Sequence, residues 1–511
     1  MENHFGTDRS NYFAWLGRLL RIVAFDNLAK SPLKTFRATT PGVHVFVLAI
    51  LSAIILFANL HRGDLSGYDD AVYAHEAKIV LQTGDWFTLR LNGYPDFDKP
   101  PLFVWLVALS FKVLGVSDYA AKFPAALFGY ATILLVYFLS KHLSLDRWIP
   151  VLSMLVLMST QYFLKYSMHA MTGVPFTFFF TLAIYFYVRS QRDPRYLLMC
   201  GAAVGLATMT RSPMGLFPLG IIGLHLVFTK RFNLLFSRYW AGCLLLSFML
   251  PMIWYVKEYQ LYGNEFLVQH FANLLNHAIP AQAKTYAETL AWHLEYPILL
   301  LKHYWPWLPF MVFGLIGSMK KALTEKAETA ALLCLWVLSV VILFSLADSK
   351  VLRYILPAFP AFSILAAMTL NSLVARHRKA FFKWSYAILS MVVLIATVFP
   401  NYRVRAGDMR ALAPVVKTTA AHQQRILLYT FGQYQWDYRN KLLWYGDRLC
   451  RHLLTIEAVS SLLECDPYNI AIINREALAE LTDRLNGRVQ IIGESKRFVC
   501  VRSYFDFPNF K

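Results

Sequence analysis

Apolar runs long enough to cross a bilayer recur along almost the whole sequence, and no other feature narrows its fold as much. A helical span takes ~20 apolar residues. Inside lipid the backbone must satisfy its own hydrogen bonds, which leaves helices for segments of this kind. Candidate spans lie at 43–60, 101–116, 120–140, 148–164, 173–189, 196–210, 213–229, 240–256, 306–318, 330–347, 352–372 and 383–400. Hydrophobic residues make up 57% of the 511 and charged residues only 16%, against about a quarter in soluble domains. The expectation is an all-α polytopic membrane protein.

The net charge of +19 would suggest nucleic acid as partner in a soluble chain. Here the basic residues cluster in short loops between apolar runs, at Arg189–Arg195, Lys230–Arg238, Lys320–Lys326 and Arg376–Lys379. That is the pattern of cytoplasmic loops, and the partner it implies is a bilayer. Arg9, Arg18, Arg21, Lys30, Lys34 and Arg37 mark residues 1–42 as a basic cytoplasmic segment and no cleavable signal. Two loops are long. Residues 61–100 are net acidic and belong outside, as does 257–305. Counting crossings from the two ends disagrees by one between 101 and 172, so a span there is missed or is a half-helix. The total expected is odd, about thirteen by the length and charge rules.

Residues 43–400 form the expected membrane domain. Residues 401–511 read as a small soluble α/β domain on the outer side. It has β-like runs at Arg425–Tyr429, Asn469–Ile473, Val489–Ile492 and Phe498–Val501. Helical periodicity covers 456–464 and 476–485, with Thr455 as N-cap. Cys450, Cys465 and Cys500 allow one disulfide there if the domain faces an oxidising compartment. The sequence carries no P-loop and no dinucleotide fingerprint.

The chemistry concentrates in the first long loop. Asp69-Asp70-Ala71-Val72-Tyr73-Ala74-His75-Glu76-Ala77 puts Asp69, Tyr73 and Glu76 or Ala77 on one side of a helix. That suits a short amphipathic helix at the membrane surface. Gly84-Asp85 and Asn92-Gly93 are turn signals. Asp98-Lys99-Pro100-Pro101 closes the loop, the prolines fixing an extended entry and a helix start. Physically this is an acid and a base beside lipid headgroups. A general base, a metal ligand and a solvated loop charge all remain open on spacing alone.

Residues 69–115, with Gly205-Leu206-Ala207-Thr208-Met209-Thr210-Arg211-Ser212-Pro213-Met214-Gly215 and Phe344-Ser345-Leu346-Ala347-Asp348-Ser349-Lys350-Val351-Leu352-Arg353-Tyr354, resemble the bacterial glycosyltransferases of the GT-C superfamily. These include the lipid A aminoarabinose transferases and, more remotely, the protein O-mannosyltransferases. The resemblance covers most of 43–400. It implies transfer of a sugar from undecaprenyl phosphate to an envelope acceptor, such as lipid A, another glycolipid, a glycan or a protein. Transfer would occur at the periplasmic face of the bacterial inner membrane, by one inverting displacement.

The family's first-loop acid falls on Asp69, as base or acceptor-orienting group, with Asp70 beside it and Tyr73 and Glu76 toward the acceptor. Lys99, Lys350, Arg353, Tyr354 and Arg211 would meet the donor phosphate. A divalent ion, where one is used, would be held by Asp98 and His270. Cations suit this chemistry because negative charge develops on the leaving phosphate, and a carboxylate can take the acceptor's proton.

Three positions depart from the pattern. Val72 and Asn273 stand where the aminoarabinose enzymes carry arginine, and Gly173 stands where many members carry a second Asp. These leave the sugar and the acceptor open, and Asp70 or Glu76 could take over the missing acid's work. The second reading is a lipid-carrier translocase or binding protein on the same scaffold. Asp69 separates the two, since only transfer needs it.

Overall fold

The computed structural model describes residues 41–143, 145–278, 286–346, 351–398, 407–421, 424–430, 435–466 and 468–504, with backbone alone at 273–278, 286–294, 346 and 395–398. The apolar runs are helices. Asp118–His142, Arg238–Tyr262, Glu328–Ser345 and Leu352–Val374 are long and apolar enough to cross a membrane. Pro41–Phe57, Leu102–Leu114, Ile149–Met158, Tyr196–Thr210 and Met214–Phe228 are shorter apolar helices. Gly173–Ser190, Leu308–Thr324 and Arg378–Val398 occupy the other expected runs.

The break in parity has a physical counterpart. The run 148–164 is not one helix but two, Ile149–Met158 and Gln161–Ser167. Ser159 and Thr160 end the first, their hydroxyls donating back to the carbonyls of Leu155 and Val156 at 2.7 and 2.8 Å. Ten residues rise only ~15 Å, about half a bilayer core.

Helix contacts are set by side-chain size as well as polarity. A Cβ at Gly201 would fall on the Cys243 backbone, and one at Gly205 on the Leu246 carbonyl. The two glycines therefore let Tyr196–Thr210 lie against Arg238–Tyr262, and Arg211 emerges at the end of that seam.

The tail carries a five-stranded sheet: β3 (Ile426–Tyr429), β4 (Cys450–Leu453), β5 (Ile470–Asn474), β6 (Val489–Glu494) and β7 (Phe498–Ser503), in the order β4-β3-β5-β7-β6. Strand β3 is parallel to both neighbours; β7 is antiparallel to β5 and β6. Ile426 and Leu428 pack one face with Met409 and Leu412. Leu427 and Tyr429 pack the other with Val459 and Leu463. A strand covered on both faces reads as a continuous apolar run. Thr455 caps Ile456–Cys465 as expected, accepting from Ala458 N. The three tail cysteines are free thiols, with Cys450 and Cys500 buried in strands, and the disulfide that they allow is not formed.

Val45–Lys511 forms one compact unit, and within it the tail sits on the first loop. Arg410 bridges Asp64 and Asp118 at 3.0 Å each. Trp444 stacks on Phe111 at 5.7 Å and donates to Asp118 at 2.8 Å. Asn92 exchanges two hydrogen bonds with the Cys450 backbone, at 2.9 and 2.8 Å. Lys78 pairs with Asp447 at 2.5 Å.

Candidate active site

The first-loop helix runs Asp70–Thr83 and ends at Gly84, whose positive φ of 73° suits the left-handed cap. A two-residue hairpin follows, β1 (Arg90–Leu91) and β2 (Tyr94–Pro95), turning at Asn92 and Gly93 with φ of 54° and 86°. Asp96 Oδ1 then accepts from Asp98 N at 2.9 Å, a local turn that presents Asp98 and Lys99 just before Pro100.

The helix is not a surface element. Asp70, Ala71, Tyr73, Ala74, His75, Glu76, Ala77 and Val80 are all buried. Phe103 and Val104 cover one side, and Ala413, Trp444 and Tyr445 of the tail join the same cluster. Sequence periodicity read this helix as having a wet face because the element that covers it comes more than 300 residues later.

Three separated motifs meet at the helix start. Arg353 donates to Asp69 Oδ2 at 2.9 Å, both side chains about a quarter exposed. Lys99 Nζ lies 2.6 Å from Asp98 Oδ2 and 5.5 Å from the centre of the Tyr73 ring. Burial works against the Lys99 charge, but Tyr73, Asp98 and Asp69 together hold its pKa well above the usual lysine value. Arg211 and Arg353 lie over the Tyr354 ring at 4.7 and 5.7 Å. Asp69, Lys99, Arg211, Arg353 and Tyr354 therefore stand together, as the sequence pattern proposed. Lys350 lies outside the described residues.

The remaining sequence-derived residues fall elsewhere. Asp70 is fully buried and turned to His169, whose Nδ1 lies 2.7 Å from its Oδ2, so it backs Asp69 and does not line open space beside it. Tyr73 is packed edge-on to Phe103. Glu76 is buried against Asp96, and burial first, then the Asp96 charge and their hydrogen bond, pushes its carboxyl well above the carboxylate range. Neither Tyr73 nor Glu76 offers an open face to an acceptor.

His270 is buried, and both ring nitrogens are engaged. A carbonyl only accepts, so Nδ1 donates to Phe97 O at 2.7 Å. Burial lowers the His270 pKa, and the neutral ring then accepts at Nε2 from the Tyr255 hydroxyl, 2.8 Å away. An ion shared by Asp98 and His270 would have to displace Tyr255 and compete with Lys99. As arranged, these residues do not fit a metal site, and no group of three or more His, Cys, Asp or Glu is gathered for one among the described residues. The observed work of His270 is to pin the backbone one residue before Asp98.

Asp96, His169 and Tyr255 are partners that the sequence did not disclose. Each is defined by a contact across about 15 to 100 residues, and no local pattern marks it.

The dolichyl-phosphate-mannose-protein mannosyltransferase family matches residues 98–255. An uncharacterized protein of Aquifex aeolicus is 28% identical over 368 residues, covering 70% of this chain and 71% of that one. The undecaprenyl phosphate-α-4-amino-4-deoxy-L-arabinose arabinosyl transferase of Pectobacterium atrosepticum is 24% identical over 354 residues, 65% of this chain and 60% of its own length. In fold, the chain is similar to the crystal structure of ArnT from Cupriavidus metallidurans. The TM-score is 0.71 at 15% identity, over 90% of this chain and 98% of that one. The same protein bound to undecaprenyl phosphate gives a TM-score of 0.70 at 14% identity, over 89% and 97%.

Proposed function

We propose that this chain is a membrane glycosyltransferase that takes a sugar from a polyprenyl-phosphate carrier and passes it to an acceptor of the bacterial envelope, at the outer face of the inner membrane. The class is supported by the agreement of the family match, the similar arabinosyl transferases and the shared fold. The observation that carries the reading is the gathering of Lys99, Arg211 and Arg353 around Tyr354 and Asp69.

Such a cluster suits a lipid phosphate. Attack on the anomeric carbon breaks its bond to the phosphate oxygen, and negative charge grows on the leaving group. Pre-placed cations stabilise that charge without reorganising, and charge-assisted hydrogen bonds to phosphate are the strong ones. Asp69 holds the Arg353 guanidinium in place, and about a quarter of its side chain is exposed. A single displacement inverts the anomeric centre.

Mass spectrometry of envelope glycolipids and glycans, with and without the gene, tests the reading. It expects one sugar residue to be missing from one acceptor in the deletion strain and restored by the wild-type chain. Identical envelopes would overturn it.

A further inference from the structure

A second acid–base pair stands beside the gathered cations. Asp70 Oδ2 meets His169 Nδ1 at 2.7 Å and Ser66 N at 3.3 Å. Its Oδ1 is buried without a partner among the described residues. The carboxylate accepts, so the imidazole proton sits on Nδ1 and the lone pair is on Nε2. That nitrogen has no partner among the described residues, and 31% of the His169 side chain is exposed, against none of Asp70. A buried acid thus orients an accessible histidine in one tautomer.

The pair lies close to the gathered cations. Asp70 follows Asp69 in the chain. The His169 ring lies 6.3 Å from Tyr166, which is within electrostatic reach of Arg353. Gly173, four residues on, sits beside the Arg353 carbonyl, 4.0 Å from where its Cβ would be. Asp69 itself is tied to a guanidinium, which weakens it as a base.

We propose that His169, oriented by Asp70, is the proton acceptor of the transfer, and that the acceptor substrate is a neutral hydroxyl rather than an already ionised phosphate. This rests on the transferase reading above. As the hydroxyl oxygen bonds to the anomeric carbon, its proton passes to His169 Nε2. The carbon–oxygen bond to the carrier breaks, and its electron pair leaves with the polyprenyl phosphate. The imidazolium then returns the proton to water. A phosphate acceptor carries no proton that must be removed and needs no such base.

Among the described residues, the following charged and titratable groups stand around the imidazole. Asp70 faces it from the first-loop helix, Lys165 and Tyr166 from its own segment, and Arg353 stands beyond Tyr166. Lys122 of Asp118–His142 acts on Asp70 from behind.

The test uses cells carrying the full chain or variants at matched membrane levels. Envelope product is measured by mass spectrometry at external pH values across the range where histidine titrates, about 5 to 8. His169→Asn keeps a donor to Asp70 but cannot take a proton. It should lower the product rate by ~10²- to 10⁴-fold and abolish the fall of rate toward acid pH, while binding of undecaprenyl phosphate, read by native mass spectrometry, stays at the wild-type level. Fragment spectra should show the sugar on a hydroxyl oxygen. A wild-type rate in His169→Asn would reduce the pair to a structural latch and overturn the proposal, as would product linked through phosphate. Absence of product from the wild-type chain itself would instead sink the transferase reading.

Discussion

Helix Gly173–Ser190 connects two polar clusters, ~27 Å apart by helix rise, that use the same side-chain types to different ends. At its C-terminal end, Arg189 meets His142, Tyr185 and Tyr196, at 3.1, 3.2 and 2.5 Å. His225 lies between Tyr187, at 2.6 Å, and the Glu328 carbonyl, at 3.0 Å. Arg231 pairs with Glu328 at 2.8 Å. Donors and acceptors there are matched within the protein. At the N-terminal end, Lys99, Arg211 and Arg353 face two acids, Asp69 and Asp98, among the described residues, and Arg211 meets only the face of a ring. Donors left unused on gathered cations have a physical use where an anion enters, and a cluster whose donors are already taken has no such use. The contrast separates a structural lock from a binding site by how far the cations' donors are used within the protein.

The sharpest way to break this contrast is at Asp69. Asp69→Asn removes the charge that holds Arg353 while keeping the shape. Transfer is expected to fall by ~10²- to 10³-fold, the cost of losing one pre-placed charge-stabilising donor, with undecaprenyl phosphate binding retained, as rate and native mass spectrometry would report. Normal transfer would remove Asp69 from the site. Next comes Lys99→Met, which deletes one of the gathered cations. A hydrogen bond to a charged group contributes about 1.5–3 kcal/mol, so carrier affinity should weaken roughly ten- to a hundredfold in a titration of the detergent-solubilised protein.

Glu76 offers a smaller and different effect, on stability. Its folded-state carboxyl is held above the unfolded value, by burial first and by Asp96 second. Its contribution is therefore complete below the unfolded glutamate pKa and is lost as pH rises toward the folded one. Glu76→Gln stays neutral throughout. The melting temperature of the variant relative to wild type should climb between about pH 5 and 8, and a constant difference would show that Glu76 is ionised in the fold. The smallest effect belongs to the matched cluster. Arg231 and Glu328 are each about 40% exposed, so Arg231→Ala should cost no more than about 1 kcal/mol and leave transfer unchanged. A variant that lost transfer would erase the distinction between the two ends.

How much of this was legible in the sequence follows from what each feature depends on. The apolar runs became helices because lipid leaves the backbone no alternative. Asp69, Lys99, Arg211, Arg353 and Tyr354 were readable as motifs, and the structure brings them together. Asp70 and Glu76 were not, since their burial is decided by His169, Asp96 and the distant Trp444 and Tyr445. Strand β4 escaped notice because Arg451 and His452 interrupt its apolar pattern at the sheet edge. The proposed metal pair failed for a similar reason: Tyr255, whose hydroxyl occupies His270 Nε2, reaches it from a helix that local spacing cannot orient.

One measurement bears most directly on the binding site: a cryo-electron microscopy structure of the full chain in a lipid nanodisc with undecaprenyl phosphate. The phosphate is expected within hydrogen-bonding distance of Lys99 and Arg353, beside Tyr354. A phosphate seated at Arg189 and Arg231, or one out of hydrogen-bonding reach of Lys99 and Arg353, would contradict it.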